Sequence, residues 1–201
     1  METSQAQLEL SVIKKIMADS RNVVINNGWH YIYWGVLVAG ALIANYVMAL
    51  MKVGGQYQGM MWLVLMVGGA ITEAIIERRV EKKRRVKTFA GQLLGSLWTA
   101  SGISMFMFGF VGTMTHAYSP LYISPIISTL LGVSYFTSGA IQQIKWLQFL
   151  SIGWWAGAIV LFILPSVHTL IIFAGMMICF QTIPGIILYR KSKSESSEIA
   201  T

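Results

Sequence analysis

Six apolar stretches, residues 29–51, 59–76, 89–113, 120–142, 146–164 and 167–189, take up most of this chain, and Glu73 is the only Asp, Glu, Lys or Arg within any of them. Each is near the roughly 20 residues that a helix needs to cross a bilayer. A barrel strand would instead read as about ten residues of alternating polarity. The pattern predicts an all-α fold, an integral membrane bundle of six transmembrane helices. Composition points the same way, because only 11% of the 201 residues are charged and mean hydropathy is +0.62. A water-soluble domain carries about 25% charged residues, so this chain has too few to cover a surface facing water.

The net charge is +7, and seven Lys and Arg fall within residues 78–87. In a soluble protein such a cluster would point to nucleic acid. In a membrane bundle it points to orientation, because Lys and Arg accumulate in cytoplasmic loops. With the N-terminus in the cytoplasm, every Lys and Arg except Lys52 falls on the cytoplasmic side. The expected protein is therefore multi-pass, sits in a bacterial inner (plasma) membrane and has both termini in the cytoplasm. Arg78, Arg79, Lys82, Lys83, Arg84, Arg85 and Lys87 then form the hairpin between spans two and three. They are expected to contact anionic lipid headgroups, at about 1 kcal/mol per charge, and not nucleic acid. A protein partner or a second copy of the chain is the other expected contact.

Residues 1–28 are expected to form a cytoplasmic amphipathic helix and linker. Ser4 and Gln7 have capping-box spacing, and Leu8, Val12, Ile13, Ile16 and Met17 follow a helical period opposite Glu9, Lys14, Lys15 and Asp19. This stretch lacks a signal peptide's basic-then-apolar order, so the first span is expected to be retained. Residues 29–189 are the transmembrane domain, and the Ser-, Glu- and Lys-rich stretch 190–201 reads as a disordered cytoplasmic tail. Cys179 is the single cysteine, so no disulfide forms within the chain. Small residues recur at helical spacing: Gly91, Gly95, Gly102 and Gly109; Ser124, Ser128, Gly132 and Gly139; Gly153 and Gly157. Such stripes let membrane helices approach closely, and packing within the bundle is the expectation. Pro125 and Pro184 are expected to kink their helices, and Pro165 to mark an outer turn.

Glu73 is the residue with most to explain, since an ionisable group within a span marks a candidate site. Glu73, Glu77 and Glu81 share a helical face. Their plainer role is to offset the basic hairpin, and the sharper one is a coupling or ligand-binding carboxylate at Glu73. His30, Gln92, Gln142, Gln143, Gln148 and Gln181 also fall toward the cytoplasmic ends of their spans. With Glu73 they define a candidate vestibule open to the cytoplasm. His30-Tyr31-Ile32-Tyr33-Trp34 opens the first span and reads as an aromatic interface belt. His116 and His168 lack the carboxylate or thiol companions of a zinc site, so no metal and no cofactor is expected.

Enzyme signatures are missing: the chain has no HExxH, GxSxG or P-loop. Ser138 in YFTSGA has no histidine at matching depth in the sixth span. The succession IKKIMADSR, GWHYIYWGVLV, KKRRVKTF with WTASGIS, GVSYFTSGA, KWLQFLSIGWWAGAI and IPGIILYRK resembles an uncharacterised family of small polytopic bacterial inner-membrane proteins. The resemblance runs from about residue 10 to 191 and implies a bundle of about six spans, with no activity, cofactor or binding site to carry over. Two functions follow as expectations. The first is a non-catalytic regulatory, sensing or scaffold component acting through its cytoplasmic face. The second is a small-molecule transporter, or the substrate-binding component of one, with its vestibule near Glu73.

Overall fold

The computed structural model describes Ser11, residues 28–81 and residues 89–198, apart from the side chains of residues 80, 81, 192 and 195–198. Apart from Ser11, the expected N-terminal amphipathic helix lies outside the described residues, as do Lys82, Lys83, Arg84, Arg85 and Lys87. Among the described residues the fold is all helical, with six helices long and apolar enough to cross a membrane. They are α1 (Gly28–Leu50), α2 (Gly55–Glu81), α3 (Phe89–Met114), α4 (Ile123–Gln142), α5 (Lys145–Ile163) and α6, which starts at Thr169 and runs to Glu198. The predicted stretches and these helices differ by a few residues at their ends. The expectation of a tail without structure from residue 190 is corrected, because helical geometry continues through 190–198. Lys and Arg are good helix formers and Ser is tolerated, so nothing local stops the last span at its apolar limit.

Pro165 lies in the break between α5 and α6, as expected, whereas Pro125 acts differently from expectation. Pro125 stands in the first turn of α4, where its missing N–H has no helical acceptor to lose. Pro184 would clash with the carbonyl four residues back, that of Phe180. The structure meets this with a wider π turn over Ile178–Thr182, the kind of insertion that accommodates such a conflict. Thr182 Oγ1 donates to the Met177 carbonyl at 3.3 Å there. A second π turn, Met107–Val111 in α3, has Thr113 Oγ1 donating to the Gly109 and Phe110 carbonyls at 2.7 and 3.0 Å.

The core lies among α1, α4, α5 and α6. Trp154, Tyr135, Leu147 and Leu161 are fully buried, and ring contacts run from Tyr31 through Tyr135 and Trp154 to Phe173 and Phe180. α4 and α5 make the most extensive pair, joined by a tight turn at Gln143, which takes the left-handed conformation with φ 57°. The turn is closed by Ile144 N–H donating to the Gly139 carbonyl at 2.9 Å, a Schellman cap. Gly139 is also where the two backbones meet. A Cβ there would lie 2.5 Å from Gln148 N. α1 crosses α6 just as closely, where a Cβ on Gly28 would lie 2.5 Å from Tyr189 N. In lipid, helix association depends on this kind of close packing.

α2 and α3 flank this core. About 6% of each apolar span is buried, against 44% for those of α4 and α6. α2 packs on α1, and α3 packs on α4, where Ser101 and Ser134 hydroxyls are 2.8 Å apart. The small-residue stripe of α4 is buried, as expected. That of α3 is a correction: at Gly95, Gly102 and Gly109 an added Cβ would meet nothing within 4 Å. Similar helical spacing thus serves packing in one helix and leaves an open face on the other among the described residues.

Candidate functional site: a clamped carboxylate

Glu73 sits on α2 two turns before the end of the helix. Its two carboxylate oxygens are both engaged by α1. His30 Nδ1 lies 2.7 Å from Oε1, and Trp34 Nε1–H donates to Oε2 at 2.8 Å. His30 and Trp34 are four residues apart and so share a helical face. One turn before Glu73 on α2, the Gly69 carbonyl accepts from the Tyr33 hydroxyl at 3.2 Å. Gly69 lets α1 come close, since a Cβ there would lie 2.7 Å from Leu37 Cδ2. Trp29 packs on the His30 ring, centroids 4.4 Å apart, and the His30 and Glu73 side chains are 18% and 24% exposed. The arrangement is a carboxylate held from two directions inside an aromatic cuff.

Hydrogen-bond chemistry constrains the roles of its atoms. Trp34 Nε1–H only donates, so Oε2 must accept. A 2.7 Å approach of Nδ1 to Oε1 requires a proton between them, carried either by the imidazole or by the carboxyl. A hydrogen bond of this kind is charge-assisted when the carboxylate is the acceptor. Arg78 and Arg79 follow on the same helix, both exposed.

The structure brings together two of the predicted vestibule residues, His30 and Glu73. It places Gln142 in the core, where it and Ser138 and Trp98 face the side chain of Tyr31. Gln92 is exposed on α3. Gln143 is exposed and caps α4, its Nε2 donating to the Ala140 carbonyl at 3.0 Å. Gln148 is half-buried beside Gly139. Gln181 is buried in the π turn of α6, with its Oε1 unpaired among the described residues. Of the remaining histidines, His168 Nδ1 and the Tyr46 hydroxyl share a hydrogen bond of 3.0 Å, tying the start of α6 to α1 at the far end of the bundle.

Trp34 and Tyr33 are the site residues that the sequence reading assigned to an interface belt. Their spacing from His30 and that of Gly69 from Glu73 were visible, but nothing local shows that these two faces meet. Comparison with known proteins adds no relative: no family model, curated protein or solved structure matches the chain.

Proposed function

We propose that this chain is a six-span bacterial inner-membrane protein that acts as a non-catalytic regulatory, sensing or scaffold component through its cytoplasmic face. Both termini and the basic hairpin lie on that face, and the hairpin meets a partner protein or a second copy of the chain. The observation carrying this reading is the His30 and Trp34 clamp on Glu73. It ties to the core a helix whose apolar span is only about 6% buried, one to two turns before Arg78 and Arg79. A partner or headgroup drawing on the basic hairpin would load that clamp, and α1 would transmit the load to α6 through the Gly28–Gly185 crossing. The open faces of α2 and α3 supply the area for contact.

The resemblance to uncharacterised polytopic inner-membrane proteins is compatible with this role and supplies no activity. Replacing Arg78, Arg79, Lys82, Lys83, Arg84, Arg85 and Lys87 by Gln tests the reading. The expected result is loss of the species crosslinked to wild type in intact membranes, with an unchanged melting temperature for the purified bundle. Recovery of the same species by the variant would overturn it.

A second reading, a small transporter, rests on a different observation. Gln181 Oε1, the Tyr135 hydroxyl and Trp154 Nε1 are buried without partners among the described residues. Unpaired polar atoms at that depth are costly and commonly line a path for water or ligand. Solute uptake into liposomes holding the purified chain separates the two: saturable uptake abolished by Gln181→Leu supports transport, and its absence supports the first reading.

A further inference from the structure

Between α1 and the basic end of α6 lies an open cleft of about 510 Å³, lined by Ile32, Ile186, Tyr189, Arg190, Lys193 and Ser194. Its residues sort by depth. Ile186, Arg190 and Lys193 recur at i, i+4 and i+7, which is one face of α6. The apolar stretch of α6 ends at residue 189, so Ile32 and Ile186 lie toward its hydrocarbon side, Arg190 at the boundary and Lys193 just beyond. The cleft exists because Gly28 and Gly185 let the two backbones touch, which leaves a re-entrant angle between the diverging side chains.

Arg190 and Lys193 are both exposed, and neither forms an ion pair with a described side chain. Two cations one turn apart repel each other weakly, and an anion between them converts that repulsion into attraction. A guanidinium presents a planar fork suited to phosphate oxygens. A wall that is mostly apolar excludes a freely soluble anion as the best fit and suits an amphiphile with its phosphate at Arg190.

We propose that this cleft is a binding site for one phospholipid with an anionic headgroup from the cytoplasmic leaflet. The phosphate sits between Arg190 and Lys193, and an acyl chain runs along Ile32 and Ile186. The site is distinct from the basic hairpin at 78–87. It rests on the membrane orientation proposed above but needs no protein partner.

The test is native mass spectrometry of the full chain released from nanodiscs containing equal phosphatidylglycerol and phosphatidylcholine. Wild type is expected to retain phosphatidylglycerol preferentially, by about tenfold or more, given about 1 kcal/mol for each of two charges near an anionic surface. R190Q/K193Q is expected to bring that preference close to parity, and R78Q/R79Q to leave it in place. Ile32→Trp fills the apolar half, keeps both charges, and is expected to reduce retention of either lipid. Preference surviving in R190Q/K193Q, or lost equally in R78Q/R79Q, would overturn the site. Displacement by inorganic phosphate with no effect of Ile32→Trp would assign a free anion and overturn the lipid. A failed lipid preference leaves the crosslinked species of the preceding test untouched, so the two proposals fail separately.

Discussion

Glu73→Ala is expected to destabilise the bundle by about 2–3 kcal/mol, measured by unfolding of the purified chain in mild detergent. The substitution removes an acceptor from two donors at once, and charge-assisted hydrogen bonds are worth roughly 1.5–3 kcal/mol each before their partial exposure is discounted. It also strands the Trp34 N–H and the His30 imidazole in a half-buried aromatic setting. The loss should be concentrated in α2, whose most extensive neighbour among the described residues is α1. Glu73→Gln separates geometry from charge. Its amide oxygen still accepts from Trp34 and its amide nitrogen still donates to an unprotonated Nδ1, so less than half the loss is expected. Equal melting of Glu73→Ala and wild type would remove the clamp from the account.

The second large effect concerns glycine. Gly139→Ala is expected to cost about 1–3 kcal/mol, because its new Cβ meets the backbone of Gln148 at 2.5 and 2.7 Å. No rotamer change relieves a contact with backbone, so α4 and α5 must move apart in the best-packed part of the core. Gly102→Ala is expected to behave oppositely. It faces open space, and replacing Gly by Ala within a helix gains up to about 1 kcal/mol. Thermal unfolding of the two variants side by side reads the contrast. Similar destabilisation by both would mean that α3 is packed more closely than its open face allows.

These two cases show where the sequence was legible. The spans were legible because hydropathy is a local property and each stretch fills one helix. Glu73 stood out because a carboxylate inside a span is expensive, and His30 was grouped with it by depth alone. The clamp itself was hidden. Trp34 and Tyr33 have the composition of an interface belt, and only the docking of α1 on α2 turns them toward Glu73 and Gly69. Small-residue spacing misled for a related reason. Gly132 and Gly139 face α5, while Gly95, Gly102 and Gly109 recur at similar spacing and face nothing within 4 Å among the described residues. Periodicity names a face but not what the face meets. Gln143 shows a third limit: its role comes from a left-handed backbone at the end of α4, which a residue other than glycine does not announce.

The α2–α3 hairpin is proposed to lie at the cytoplasmic surface, facing a protein. Photo-crosslinking in intact membranes tests this most directly, with a benzophenone side chain placed at Ile75, at Phe89 or at Met114. All three positions are exposed, 48%, 63% and 78% respectively. Ile75 and Phe89 flank the basic hairpin, and Met114 lies at the opposite end of α3. Protein adducts at 75 and 89, with lipid adducts alone at 114, are the predicted result. Lipid adducts alone at all three positions, or protein adducts confined to 114, would contradict it.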